Sequence, residues 1–152
     1  MIVTALDPLK GKGGELARFT LGADFDVQVS GLVWSISPDG SRLAAAHGLA
    51  GPIEIRSLRG QPTQVIQAKE LSHIRFLIWA ADGKGFFVTN KTKDGADIVH
   101  LDFEGNTNLI WRSIGERGSN GSQSNAFPSP DGRHIAIKDW QQSGNMWMME
   151  NF

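Results

Sequence analysis

Three of the four Asp-Gly pairs in this 152-residue chain lie between two apolar runs. The aspartates Asp39, Asp82 and Asp131 are separated by 43 and 49 residues. Glycine accepts a positive φ and aspartate bonds the backbone of a turn, so an Asp-Gly pair in this setting is typical of a tight β-hairpin turn. Its recurrence at a nearly constant spacing indicates one supersecondary unit repeated in tandem.

Strand-like segments fill the rest of each period, out of phase with the Asp-Gly turns. A first series covers residues 2–7, 53–57, 97–102 and 145–150. Glycines follow the first three of these segments, as in the run 11–14, and predict hairpin turns. A second series follows those turns at residues 15–20, 64–67 and 108–111. Each period therefore holds four short strands, A to D, with the Asp-Gly turn between strands A and B.

The repeat predicts an all-β fold. A four-stranded antiparallel unit of about 40 to 50 residues has the size of one β-propeller blade, and helical periodicity is almost absent. We therefore expect a single domain, a partial β-propeller of about three four-stranded antiparallel blades. Its parts are strands C and D of a first blade at 1–21, blades at 29–67 and 71–111, and an incomplete last blade at 122–152. The alternative is a sandwich of unrelated hairpins.

The turn segments resemble the TolB-type, WD-like propeller repeats of bacteria, whose hallmark is Ser-Pro-Asp-Gly after an aromatic or aliphatic strand. Residues 37–40 and 129–132 match this pattern in full, and residues 80–83 keep only the Asp-Gly pair. The resemblance covers nearly the whole chain and implies a fold rather than a function, since such repeats occur in many unrelated proteins. It also implies the C-terminal propeller segment of a larger bacterial protein, such as a serine/threonine kinase or a transcriptional regulator.

The expected number of blades is too small to close a ring, because propellers typically have about 4 to 8 blades. An open arc exposes strand edges and apolar blade faces at both ends. Two arrangements remove that exposure. Either the chain is a fragment of a longer propeller, or two copies associate as a homodimer and close one ring together. The expected partner is therefore another protein or a second copy of this chain.

Composition narrows the partners and the compartment. A net charge of −1, from 15 basic and 16 acidic residues, gives no basic surplus for phosphate backbones, so we expect no nucleic-acid partner. No apolar run approaches the length of a membrane span and no signal peptide is evident, so we expect no membrane association. The default location is the cytoplasm, with a periplasmic or extracellular site compatible with a longer protein. The absence of cysteine excludes disulfides and thiolate sites and leaves the compartment open.

Catalytic and metal-binding motifs are missing from the sequence. The four histidines do not form a His-x-x-x-His pair, and no Gly-x-Ser-x-Gly nucleophile motif occurs. We therefore expect no catalytic residue, no metal and no cofactor, and the leading hypothesis is a non-enzymatic scaffold for protein or ligand interaction. The alternatives are an enzyme of hydrolase or lyase type at the channel mouth, and a truncated fragment of a larger sensor or regulator with no independent activity.

One set of polar residues recurs with the turns. His47, Asn90 and Asp139 each lie eight residues after a turn aspartate, at the end of strand B. In a propeller the B–C and D–A loops emerge on one face, so these three residues are predicted to rim one mouth of the channel and bind a partner. Trp140, next to Asp139, is predicted to join them. The alternative is ordinary polar loop chemistry.

Two tryptophans beside the turns are expected to have a structural role. Trp34 and Trp79 lie near the ends of A strands, next to Asp-Gly turns. Large aromatic side chains bury much apolar area, so both are predicted to pack between blades.

Overall fold

The computed structural model of the chain describes residues 2–7, 9–18, 31–47, 51–114 and 124–139. These residues form twelve β-strands and no helix. The prediction of an all-β chain with four-stranded antiparallel sheets is confirmed. Within the same residues, no helix is long and apolar enough to cross a membrane.

The strands form two hairpins and two four-stranded antiparallel sheets. The N-terminal hairpin pairs β1 (Ile2–Asp7) with β2 (Gly11–Arg18). Sheet I contains, in spatial order, β3 (Leu32–Ile36), β4 (Arg42–His47), β5 (Ile53–Ser57) and β6 (Gln64–Ile66). Sheet II contains, in spatial order, β7 (Ile74–Trp79), β8 (Gly85–Lys91), β9 (Gly95–Asp102) and β10 (Thr107–Ile114). The last hairpin pairs β11 (Asn125–Pro128) with β12 (Ile135–Lys138).

The N-terminal hairpin differs from the sequence prediction. The glycine run 11–14 was expected to form the turn, but β2 begins at Gly11 and the turn includes Leu9 and Lys10. The pairing of Asp7 with Gly11 fixes this short connection, and Gly11 has the positive φ of 81° that closing it requires. The predicted strand at 145–150 lies outside the described residues.

The three Asp-Gly turns have the same geometry. In the first, the Ser37 N–H donates to the Arg42 carbonyl at 2.9 Å, and the Gly40 N–H donates to the Ser37 carbonyl at 2.8 Å. The same two hydrogen bonds recur in the other turns. In all three, the aspartate Oδ1 accepts the backbone N–H two residues later, and the glycine φ is 68° or 69°. The chemistry expected of the Asp-Gly pair is therefore present in each turn.

Strand pairing has the same register beside every turn. The pairs nearest the turns are Ile36 with Leu43, Trp79 with Phe86, and Pro128 with Ile135. Residues at the same offset from the three turn aspartates are therefore structurally equivalent. Side chains alternate between the two faces of a sheet. We call the face that carries these six residues the preceding face, and the opposite one the following face.

The main core lies between the following face of sheet I and the preceding face of sheet II. The largest buried side chains of this core include Ile53, Ile55, Leu77, Trp79, Phe86 and Leu101. The Trp79 indole N–H donates to the Ser35 carbonyl at 3.0 Å, which joins β7 to β3. The Arg42 guanidinium lies 4.6 Å from the centre of the Trp79 ring, a cation–π distance, and donates to the Gly83 carbonyl at 3.2 Å.

The following face of sheet II meets the last hairpin. Strand β11 contacts β7 and β8, and the Phe76 and Phe127 rings meet edge to face with centres 5.4 Å apart. Sheet II is therefore covered on both faces. The preceding face of sheet I is not, since Trp34 is 54% exposed while Trp79 is 2% exposed. The prediction that both tryptophans pack between sheets is confirmed for Trp79 and wrong for Trp34, which points away from the main core.

Candidate functional site

The three polar positions counted from the turns lie at equivalent places in the fold. His47 ends β4 and pairs with Leu32, Asn90 lies in β8 and pairs with Ile74, and Asp139 directly follows β12. The His47 side chain and all of Trp140 lie outside the described residues. The prediction that these residues bind a partner therefore stays a prediction, and the structure adds the contacts of Asn90 and Asp139.

Asn90 holds the segment that leads into β7, the first strand of sheet II. Its side chain is 7% exposed, and its Oδ1 accepts the backbone N–H groups of Ser72 and His73 at 3.1 and 2.9 Å. The Lys91 N–H donates to the His73 carbonyl at 2.8 Å and tightens the same junction. A buried amide oxygen with two donors is fully used inside the protein. Asn90 therefore fixes the connection between sheets I and II.

The electrostatics of this junction keep a neighbouring imidazole neutral. Burial lowers the pKa of His73, and the positive charges of Arg75 and Lys91 lower it further. Since the ordinary value is 6.5, the lowered pKa favours the uncharged ring at neutral pH.

Asp139 holds the next connection in the chain. Its carboxylate accepts the hydroxyl of Ser113 at 2.8 Å and the hydroxyl of Ser124 at 2.5 Å. Both serines are buried, at 3% and 0% exposure. The Thr89 hydroxyl donates to the Ser124 carbonyl at 2.7 Å, so β8, β10 and the last hairpin meet at this network. Asn90 and Asp139 thus have equivalent structural roles. Each side chain binds the segment that enters its unit to the second strand of that unit, Asn90 through an amide oxygen and Asp139 through a carboxylate.

The network around Asp139 pairs one carboxylate with two serine hydroxyls. A nucleophilic serine requires a base that removes its proton, and among the described residues no histidine hydrogen-bonds to the hydroxyl of Ser113 or Ser124. In the described ranges, no group of three or more His, Asp or Glu side chains lies close enough to hold a metal ion.

A cleft that the sequence reasoning did not single out lies between sheet II and the last hairpin. Its volume is about 310 Å³, at the lower end of the range of ligand pockets. The residues that line it include Asp82, Phe87, His100, Pro128, His134 and Ile135. An alignment of the three turns indicates where the cleft lies, because Pro128 occupies the position of the larger Trp79 in the preceding repeat.

Comparison with known proteins adds no relative. The sequence matches no protein-family model, and its similarity to curated proteins is not significant for any of them.

Proposed function

We propose that this chain is a non-enzymatic β-propeller segment that acts as an interaction scaffold and completes its ring with a second copy of itself. The observation that carries the proposal is a pair of equivalent positions with opposite exposure. Trp34 and Leu77 occupy the same register position on the preceding face, as do Ile36 and Trp79. In sheet II these residues are 3% and 2% exposed, whereas in sheet I they are 54% and 45% exposed.

The order of the sheets supports the propeller part of the proposal. The first strand of each unit lies next to the first strand of the following unit, since β3 contacts β7 and β7 contacts β11. Propeller blades repeat radially with their first strands around a central channel. The resemblance of residues 37–40 and 129–132 to TolB-type repeats agrees with this arrangement.

The preceding face of sheet I is uncovered, and we call it the open face. Its composition supports a protein partner. Trp34, Ile36 and Val65 are the large apolar side chains exposed on it, and Leu32 and Leu58 border it half-buried. The Arg56–Glu54 ion pair, at 3.0 Å, lies on the same face between Val65 and the buried residues Leu43 and Ala45. Exposed apolar residues beside such polar groups are typical of surfaces that homo-oligomers bury. A second copy is the partner that the repeat itself favours. The first strand of its last hairpin, β11, is equivalent to β3, the strand that packs against sheet II.

The test measures solution mass by light scattering for the wild type and for Trp34→Glu. We expect the wild type to be a dimer and Trp34→Glu to be a folded monomer, because a buried unpaired carboxylate would oppose the interface. Ile114→Glu is the matched control, since Ile114 is 71% exposed at the end of β10 and lies outside the open face. A wild type that stays monomeric at high concentration, or dimers of Trp34→Glu, would contradict self-association.

A further inference from the structure

Sheet II makes two contacts, one with sheet I and one with the last hairpin. Equivalent positions form both contacts, but the side chains at those positions differ in size. Between sheets I and II, the Trp79 indole fills the space beside the turn, with the Phe86 ring centre 4.5 Å and the Phe103 ring centre 5.9 Å away. Arg42 covers the outer side of the indole. This contact shows what an inter-sheet space beside an Asp-Gly turn accommodates in this fold, namely a planar fused aromatic ring.

The second contact has smaller residues at the same positions. Pro128 replaces Trp79, Ile135 replaces Phe86, and Gly85 replaces Arg42. Gly85 cannot be enlarged, because an added Cβ would lie 2.5 Å from the Leu101 carbonyl oxygen. The cleft of about 310 Å³ occupies this part of the contact. The space taken by an indole in the first contact is therefore open in the second.

The walls of the cleft suit an aromatic ligand. Phe87 and His100 form one wall, with ring centres 5.4 Å apart in an edge-to-face arrangement, and Pro128 and Ile135 form the other. Aromatic and proline surfaces stack on planar rings. Within the described part of the chain the His100 imidazole makes no hydrogen bond, so its ring nitrogens are available to a bound molecule.

The carboxylates at the rim of the cleft favour a ligand with a positively charged hydrogen-bond donor. Asp82 is exposed, and among the described residues only its Oδ1 accepts a hydrogen bond, from the Lys84 N–H at 3.0 Å. Asp131 adds a second carboxylate at the opposite turn, partly neutralised by Arg133 at 3.8 Å. A charge-assisted hydrogen bond from an ammonium group is the strongest contact that Asp82 can offer.

We propose that the cleft between sheet II and the last hairpin binds a small planar aromatic amine, with its ring between Phe87 and Pro128 and its ammonium group on Asp82. This site does not depend on ring closure or on a second copy, because every residue that forms it belongs to one chain. Its failure would therefore leave the proposed scaffold function untouched.

The experiment titrates the protein with tryptamine and follows backbone amide shifts by ¹H–¹⁵N NMR, with isothermal calorimetry for affinity. We expect saturable shifts clustered at Phe87, His100 and Ile135. Asp82→Asn should weaken tryptamine binding about tenfold, because the charge-assisted hydrogen bond is lost. Indole-3-propionate, with the same ring and a carboxylate, should bind more weakly than tryptamine.

A substitution that fills the cleft from within gives the sharpest result. Pro128→Trp places an indole at the position equivalent to Trp79, so we expect tryptamine binding to fall at least tenfold while the melting temperature stays equal or rises. Ala136→Trp is the matched control, because Ala136 is exposed beside Ile135 on the opposite face of β12, and it should bind like the wild type. Shifts scattered over the surface, or a folded Pro128→Trp that binds tryptamine as the wild type does, would overturn the proposal.

Discussion

Sheets I and II have the same strand order, the same turn and the same register beside that turn, yet they sit in different surroundings. Sheet II has a neighbour on each face, and its strands β8 and β9 are buried along most of their length. Sheet I is packed on one face only, so equivalent apolar side chains are buried in one sheet and half-exposed in the other. The repeat therefore specifies apolar residues on both faces of each sheet, and the position of a sheet along the array decides whether those residues are covered.

The largest expected effect comes from truncating the same position in both sheets. Leu77→Ala leaves a cavity in the main core and should lower the free energy of unfolding by about 2–5 kcal/mol. Trp34→Ala at the equivalent position should cost about 1 kcal/mol or less when measured on the monomer. Urea denaturation at low protein concentration measures both values. Equal losses for the two variants would mean that sheet I is covered in solution to the same extent as sheet II.

The second effect concerns the turns. In the first turn, the buried Ser37 hydroxyl donates to Asp39 at 2.6 Å and accepts the Arg42 N–H at 2.9 Å. Ser37→Ala should therefore lower the free energy of unfolding by about 1–2 kcal/mol. Ala80 occupies the same position in the second turn, and Ala80→Ser should restore these bonds and stabilise the protein by about 1 kcal/mol or less.

Thermal melts of Ser37→Ala, Ala80→Ser and the double variant check the turn prediction. Opposite signs for the single variants, and a double variant near the wild type, are expected because the turns are separate in space and their effects should add. Destabilisation by Ala80→Ser would show that the two turns are not interchangeable, despite their common backbone geometry.

The smallest effect is a dependence on acid. Hydrogen bonds from the Ser37 hydroxyl, and then from Ser41, hold the pKa of Asp39 well below its ordinary value of 3.8, and the Ser129 hydroxyl does the same for Asp131. A carboxyl whose pKa is lower in the folded state stabilises the fold above its unfolded pKa. That contribution is lost as the pH falls below 3.8 towards the folded pKa.

The acid prediction is measured by melting temperature between about pH 5 and pH 2. The wild type should lose stability across this range, and the double variant Asp39→Asn with Asp131→Asn should show a shallower decline, because Asn does not titrate. A decline as steep as that of the wild type would assign the acid sensitivity to other carboxylates.

The sequence predictions that were confirmed depend on interactions between residues close together in the chain. The turns at Asp39, Asp82 and Asp131 could be identified because Asp-Gly between two apolar strands favours a tight hairpin turn. The strands beside them followed from short-range alternation, and β5 has its predicted bounds of 53–57. The turn after β1 was misplaced because four consecutive residues with three glycines suit either a turn or a strand, and pairing with β1 decided for the strand.

The candidate site shows the same limit. The offset of eight residues correctly marked Asn90 and Asp139 as equivalent, because register carries the turn geometry into the strand. Their hydrogen-bond partners could not be predicted, since Ser72 and Ser113 are brought close only by the packing of one sheet against the next segment.

The sequence alone determined the period of the chain, its turns and the four-stranded antiparallel unit, because each depends on residues close together along the backbone. Only the tertiary structure decided which faces are covered, which polar groups are used internally and where a cleft remains. Those outcomes depend on residues that are far apart in the sequence and close in space, such as Trp79 with Ser35 and Pro128 with Phe87. The sequence pattern does not indicate which of these residues meet.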